Sequence, residues 1–202
     1  SAEQKVAMQA VARPHLLRLL GPNCIGLLSS PAKLNASFAH ISARDGSLAF
    51  VSQSGALVTA VLDWADAQAI GFSHIVSLGE HLDVDFGDML DYLATDVHTR
   101  AILLYIESIE APRKFMSAAR AAARNKPVIV VKAGRSAQGQ KAAASHTGAL
   151  AGSDDVYDAA IARAGMLRVD TLQELFLAAE TLTHGHHPTL TPTTTPANDS
   201  LT

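Results

Sequence analysis

The sequence predicts an α/β fold: a doubly wound parallel sheet with helices packed on both faces. Two observations carry this. From residue 47 onward, short runs rich in Val, Ile and Leu alternate with segments of helical period, the pattern of successive βαβ units. Such alternation means a parallel sheet buried on both faces, and runs such as 101–106 are apolar throughout, as expected of strands covered on both sides.

The elements follow in chain order. Residues 2–13 carry a helical pattern that Pro14 ends, because proline lacks a backbone donor and clashes with the preceding turn. An apolar run at 16–20, expected to be a strand, leads into Gly21-Pro22-Asn23-Cys24-Ile25-Gly26. One helix and one strand make no domain, so residues 1–28 read as the end of an α/β unit lying upstream. Residues 29–46, rich in Ser, Pro, Ala and Asn, read as a linker. Strands are expected at 47–52, 72–77, 101–106, 128–132 and 166–169, and helices at 55–68, 86–95, 111–124, 154–163 and 172–183. Right-handed crossovers among five such strands favour the flavodoxin-like order 2-1-3-4-5. Residues 183–202, full of Thr, Pro and His without an apolar period, read as a linker or disordered tail.

Composition excludes several classes. At 48% hydrophobic and 17% charged residues, the chain has the material for a core and is not a disordered polypeptide. Sixteen Lys and Arg against 19 Asp and Glu give a net charge of −3, the wrong sign for a nucleic-acid surface. The longest apolar runs, such as 101–106, fall far short of the roughly 20 residues of a membrane span. Residues 1–12 hold no hydrophobic signal core. The single cysteine, Cys24, excludes an internal disulfide and a cysteine-based zinc site, and it fits a cytoplasmic setting.

In a doubly wound sheet, ligands bind beyond the carboxyl ends of the strands, where strand order reverses. The first strand of the unit ends in Val51-Ser52-Gln53-Ser54-Gly55, and the third in Ile106-Glu107-Ser108. The fourth ends in Lys132-Ala133-Gly134-Arg135-Ser136 and feeds a loop containing Ser145-His146-Thr147-Gly148-Ala149-Leu150. The polar residues therefore converge on one rim. Small hydroxyl residues and a glycine at a helix start suit an anion, which the free N–H groups and the helix dipole attract. The same composition suits an ordinary serine cap, and both readings stay open. A hydrolase elbow is set aside, because Ser52 stands where its first glycine is needed. His146 has only small neighbours, and an imidazole can be a covalent nucleophile towards phosphate. Glu107, on the neighbouring strand end, could orient its ring. On spacing alone, His146 equally fits a surface histidine, and Glu107 a carboxylate at the start of a helix.

Other polar clusters have simpler explanations, and no metal site is expected. His184, His186 and His187 lack acidic or cysteine partners nearby in sequence. Asp83, Asp85 and Asp88 could suggest a hard cation, but Asp85 is placed to favour the helix at 86–95 through its dipole. Trp64, Leu57, Val61 and Leu62 form the apolar face of the helix at 55–68.

In order and spacing, Gly21-Pro22-Asn23-Cys24-Ile25-Gly26, Val51-Ser52-Gln53-Ser54-Gly55, Glu107 and Ser145-His146-Thr147-Gly148-Ala149-Leu150-Ala151-Gly152 resemble the succinyl-CoA synthetase superfamily. Within it they resemble the NDP-forming acyl-CoA synthetases of the ADP-forming acetate type, over residues 14–182. The resemblance implies that residues 1–28 are the end of a Rossmann-like CoA-binding domain and residues 29–182 a second, flavodoxin-like domain. It implies a phosphohistidine at His146 and a glutamate that holds it at Glu107. Phosphate-binding residues fall on Ser52, Gln53, Ser54 and Gly55, joined by Ser145, Thr147 and Gly148. The position near the thioester end of CoA falls on Asn23 or Cys24. Ser108 departs from the pattern, in which glycine commonly follows the glutamate.

The implied reaction converts acyl-CoA, phosphate and NDP into acid, CoA and NTP. Its cofactors are CoA, phosphate and ATP or ADP with Mg, and its partner is an ATP-grasp domain or subunit. The chain is then expected to be part of a larger protein, inactive by itself and holding no cofactor tightly. A homo-oligomer is compatible with this. Two other readings remain: the ligand-sensing, synthetase-like half of a protein lysine acetyltransferase, and a non-catalytic anion-binding flavodoxin-like module.

Overall fold

The computed structural model describes residues 2–134 and 154–184. It opens with helix α1 (Ala2–Ala12) and a 3₁₀ turn at Arg13–His15 that contains Pro14. Strands β1 (Gly26–Ser29) and β2 (Leu34–Ser37) follow. The βαβ series is β3 (Asp45–Ser52), α2 (Gly55–Ala67), β4 (Phe72–Ser77), α3 (Phe86–Thr95), β5 (Ala101–Ile106), α4 (Pro112–Asn125) and β6 (Val128–Lys132). Helix α5 (Asp154–Ala164), strand β7 (Leu167–Val169) and helix α6 (Leu172–His184) complete the described chain.

Seven strands form one sheet in the order β2-β1-β4-β3-β5-β6-β7. The five strands from β4 to β7 are mutually parallel. In the numbering of the unit that begins at β3, their order is 2-1-3-4-5, the doubly wound arrangement expected. Each face carries its own core. Ala49, Val51, Ile102, Leu104 and Val130 pack against Leu90 and Leu93 of α3, Phe115 and Ala119 of α4, and Ile161 of α5. On the other face, Leu48, Phe50, Ile75, Leu103 and Val131 meet Val58, Val61 and Leu62 of α2 and Leu175 and Ala179 of α6. Leu57 and Trp64 pack at the border of that second core, with Trp64 stacked on Phe176 at 4.1 Å between ring centroids. Among the described residues, no helix is long and apolar enough to cross a membrane.

The N-terminal part differs from expectation in two places. The run at 16–20 is not a strand: Leu16 has a left-handed backbone (φ 56°), and Leu16 and Leu17 are 89% and 61% exposed. Apolarity alone makes no strand without a neighbouring edge to pair with. Residues 29–46 are more than a linker, because β2 lies within them and pairs antiparallel with β1. β1 in turn pairs antiparallel with β4, Leu27 opposite Val76 and Ser29 opposite His74. The expected boundary between residues 28 and 29 thus falls inside β1. The tail expected from residue 183 begins inside α6, and 185–202 lie outside the described residues.

Candidate functional site

The switch point lies between β3 and β5, whose polypeptides leave in opposite directions from the same rim. Here Asn23, Cys24, Ile25, Gln53, Ser54, Gly55, Ala56, Gly79, Glu80 and Glu107 line a cleft of about 280 Å³. Six of the residues singled out in the sequence are thereby brought together from three separate stretches of chain. His146, Ser145, Thr147 and Gly148 lie outside the described residues, as do His186 and His187.

The first wall is the start of α2. Ser54 caps it, its hydroxyl accepting from the Leu57 N–H at 3.4 Å. The serine-cap reading therefore holds, and it is compatible with anion binding, because the first N–H groups of a helix have no intrahelical acceptor. Gly55 is needed for packing: a Cβ there would lie 2.8 Å from Ile25 Cγ1. Ser52 does not line the cleft. It is fully buried, its hydroxyl accepting from the Ser54 N–H at 3.0 Å and donating to the Ser54 carbonyl at 2.9 Å. Its side chain thus shapes the turn from which Ser54 and Gly55 enter the cleft.

The second wall is the loop before β1. Its path is set by the turn after β4: Glu80 N–H donates to Pro22 O and Leu82 N–H to Gly21 O, each at 2.9 Å. Gly79, at φ +56°, is the pivot, since a Cβ there would lie 2.3 Å from Pro22 O and 2.4 Å from Asn23 O. The Ile25 N–H donates to Ser77 Oγ at 3.1 Å, which brings half-buried Cys24 to the rim. Glu80 also reaches the cleft, paired with Lys5 of α1. Sequence reasoning missed Gly79 and Glu80; a glycine directly after the buried run ending at Leu78 was the available signal.

The third wall carries Glu107, just beyond β5. Its charge and, more strongly, burial push the nearby Tyr105 phenol up. On the adjacent strand end, Lys132 is 6% exposed, with Nζ donating to Ala133 O at 2.6 Å and lying 4.6 Å from the Tyr157 ring centroid. Burial lowers its ammonium pKa, against the smaller pulls of Asp154 and Glu107. Among the described residues, no group of three or more His, Cys, Asp or Glu side chains is arranged to hold a metal ion. Asp83, Asp85 and Asp88 have other partners. Asp85 and Asp88 form a capping box on α3, Lys114 bonds both of them, and Arg18 bridges Asp83 and Asp88.

A doubly wound sheet with its polar residues gathered at the switch point defines a ligand-binding α/β domain. More specifically, the chain belongs to the succinyl-CoA ligase-like flavodoxin domain family, whose model matches residues 45–182. It is 47% identical to the alpha subunit of ADP-forming acetate–CoA ligase I of Pyrococcus furiosus, an alignment covering 92% of this chain and 40% of that one. It is 41% identical to the ADP-forming 4-hydroxybutyrate–CoA ligase of Nitrosopumilus maritimus, over 82% of this chain and 24% of the relative. Among solved structures it is similar to acetyl-coenzyme A synthetase 1 of Candidatus Korarchaeum cryptofilum in complex with phosphate and ADP. There the TM-score is 0.85 and the identity 39%, covering 90% of this chain and 39% of that one. The chain thus spans less than half the length of these relatives.

Proposed function

We propose that this chain is the phosphoryl-carrying part of an ADP-forming acid–CoA ligase, with His146 as the residue that becomes phosphorylated. The observation that carries this reading is the cleft itself, where a helix start, a carboxylate and the Asn23-Cys24 loop converge at the switch point. The ligase relatives support it over an acetyltransferase regulator or a plain anion-binding module. The phosphate and ADP named for the Korarchaeum structure support the ligand classes.

In this reading, phosphate attacks the acyl carbon, the C–S bond breaks, and CoA leaves with Asn23 and Cys24 near its sulfur. A ring nitrogen of His146 then attacks the phosphorus of the acyl phosphate, and the P–O bond breaks to release the acid. Attack by an ADP oxygen breaks the P–N bond and gives ATP. The α2 N-terminus, with Ser54 and Gly55, stabilises charge on the moving phosphoryl group. Glu107 accepts a hydrogen bond from the other ring nitrogen, leaving the first as nucleophile. Ser145, Thr147 and Gly148 complete the phosphate contacts. An ATP-grasp domain or subunit, in a cytoplasmic protein and with Mg, supplies the nucleotide, so the residues spanned here do not turn over alone. The residues before β1 form the end of a CoA-binding domain.

Given radioactive ATP and magnesium, the complete protein should take up acid-labile, base-stable phosphate, and His146→Ala should take up none. Unchanged labelling in that variant overturns the assignment.

A further inference from the structure

The Gln53 side chain is only 6% exposed, and its polar atoms bond protein. Oε1 accepts from the Glu107 N–H at 2.6 Å and from the Ser108 N–H at 3.0 Å. Nε2 donates to Ser108 Oγ at 3.3 Å, and the Gln53 backbone N–H donates to Tyr105 O at 3.3 Å. Strand β5 ends at Ile106, so the N–H groups of 107 and 108 lie past its ladder and need another acceptor. Gln53, one residue past the end of β3, supplies it across the switch point. The amide orientation follows from this network, because the two N–H donors on one side require the oxygen there.

We propose that Gln53 is a positioning residue for Glu107. It fixes the two peptide planes from which the carboxylate reaches the cleft, with the Ser108 hydroxyl as a second anchor, and it does not itself bind phosphate. The proposal rests on the reading that Glu107 acts on His146. The two are nonetheless separable, because Gln53 acts only through a carboxylate that can be removed independently. A glycine at 108 would lack the hydroxyl that holds Nε2, so this chain carries an anchor that depends on Ser108.

The test is rapid-quench phosphorylation of the complete protein, read for rate and for the ATP concentration at half-maximal rate. Gln53→Met keeps the length but removes both acceptor and donor. It should slow phosphorylation about tenfold or more, the scale on which small misplacements act, and leave the ATP dependence unchanged. Gln53→Glu keeps the acceptor and should recover most of the rate. In a Glu107→Gln background, Gln53→Met should add nothing further. A full multiplicative loss there would show that Gln53 acts on its own, and the proposal would fall. A slow Glu107→Gln beside a wild-type Gln53→Met sinks the proposal alone. A wild-type Glu107→Gln sinks it together with the reading of Glu107. If Gln53→Met does not fold, Ser108→Ala replaces it: a several-fold loss that vanishes in the Glu107→Gln background is expected, and no loss refutes the proposal.

Discussion

The turn after β4 offers a test of the cleft's architecture that needs no substrate. Gly79→Ala introduces two faults. A side chain in the left-handed region costs about 1–2 kcal/mol. Its Cβ would also sit 2.3 Å from Pro22 O and 2.4 Å from Asn23 O, and backbone carbonyls cannot rotate away as a side chain can. Overpacking of this kind adds about 1–3 kcal/mol. Gly165 isolates the first fault: it sits at φ +82°, but its Cβ would meet only Ala123 Cβ at an ordinary 3.7 Å. At about 2–4 °C per kcal/mol for a domain of this size, Gly165→Ala should lower Tm by roughly 3–5 °C and Gly79→Ala by roughly 10 °C. Thermal unfolding of the two variants side by side decides the matter. Equal shifts would mean that the Gly21–Asn23 loop moves aside freely, and the tight seat described for Asn23 and Cys24 would be wrong.

Asp88 gives a pH prediction. Burial pushes its carboxyl up, but bonds from Lys114, the Asp85 N–H and Arg18 outweigh that and leave it at about 2. Since the folded value lies below the ordinary 3.8, the stability it contributes is present above pH 4 and fades as pH falls towards 2. Asp88→Asn should flatten that part of the acid-unfolding profile, and an unchanged slope argues against the Arg18–Lys114 network. Glu107→Gln should slow His146 phosphorylation roughly ten- to hundredfold, the kinetic worth of one charge-assisted hydrogen bond of about 1.5–3 kcal/mol; a wild-type rapid-quench rate leaves Glu107 as a plain rim carboxylate. Ser54→Ala should cost about 1 kcal/mol in denaturant unfolding through loss of the cap, and no loss would deny the hydroxyl its role at Leu57. Phosphate or sulfate in crystals should appear at the start of α2, beside the Gly55 and Ala56 N–H groups that line the cleft, and only water there at high phosphate counts against the anion site.

The parallel core was legible because strand-like runs alternate with helical segments: 72–77 and 101–106 were expected where β4 and β5 lie, the second of them apolar throughout. Helix α3 was equally plain, its start marked by Asp85. The hairpin of β1 and β2 left no such trace. β2 is a mostly exposed four-residue edge, so it needs no apolar face; it pairs with β1, which in turn lies along the edge of β4. Leu16 and Leu17 misled for the opposite reason, being apolar but uncovered. At the site, strand ends and helix starts identified Glu107, Ser54 and Gly55, and the family resemblance added Asn23 and Cys24. The side-chain roles of Ser52 and Gln53 were not legible. A hydroxyl or an amide bonds whichever partner the fold presents, and their partners lie in a local turn and 54 residues away, respectively.

The β1–β2 hairpin has a consequence for handling the protein. The family match begins at residue 45, a natural place to trim the chain, yet the hairpin lies before it. Trimming there would strip β1 from Val76, Ile75 and His74 and turn β4, buried along its whole length, into a bare flank of unpaired N–H and C=O groups. Such a flank recruits strands from other molecules. The trimmed domain should therefore stack or precipitate where the longer chain stays dispersed, with the short, polar-tipped β2 serving as its shield against self-recruitment.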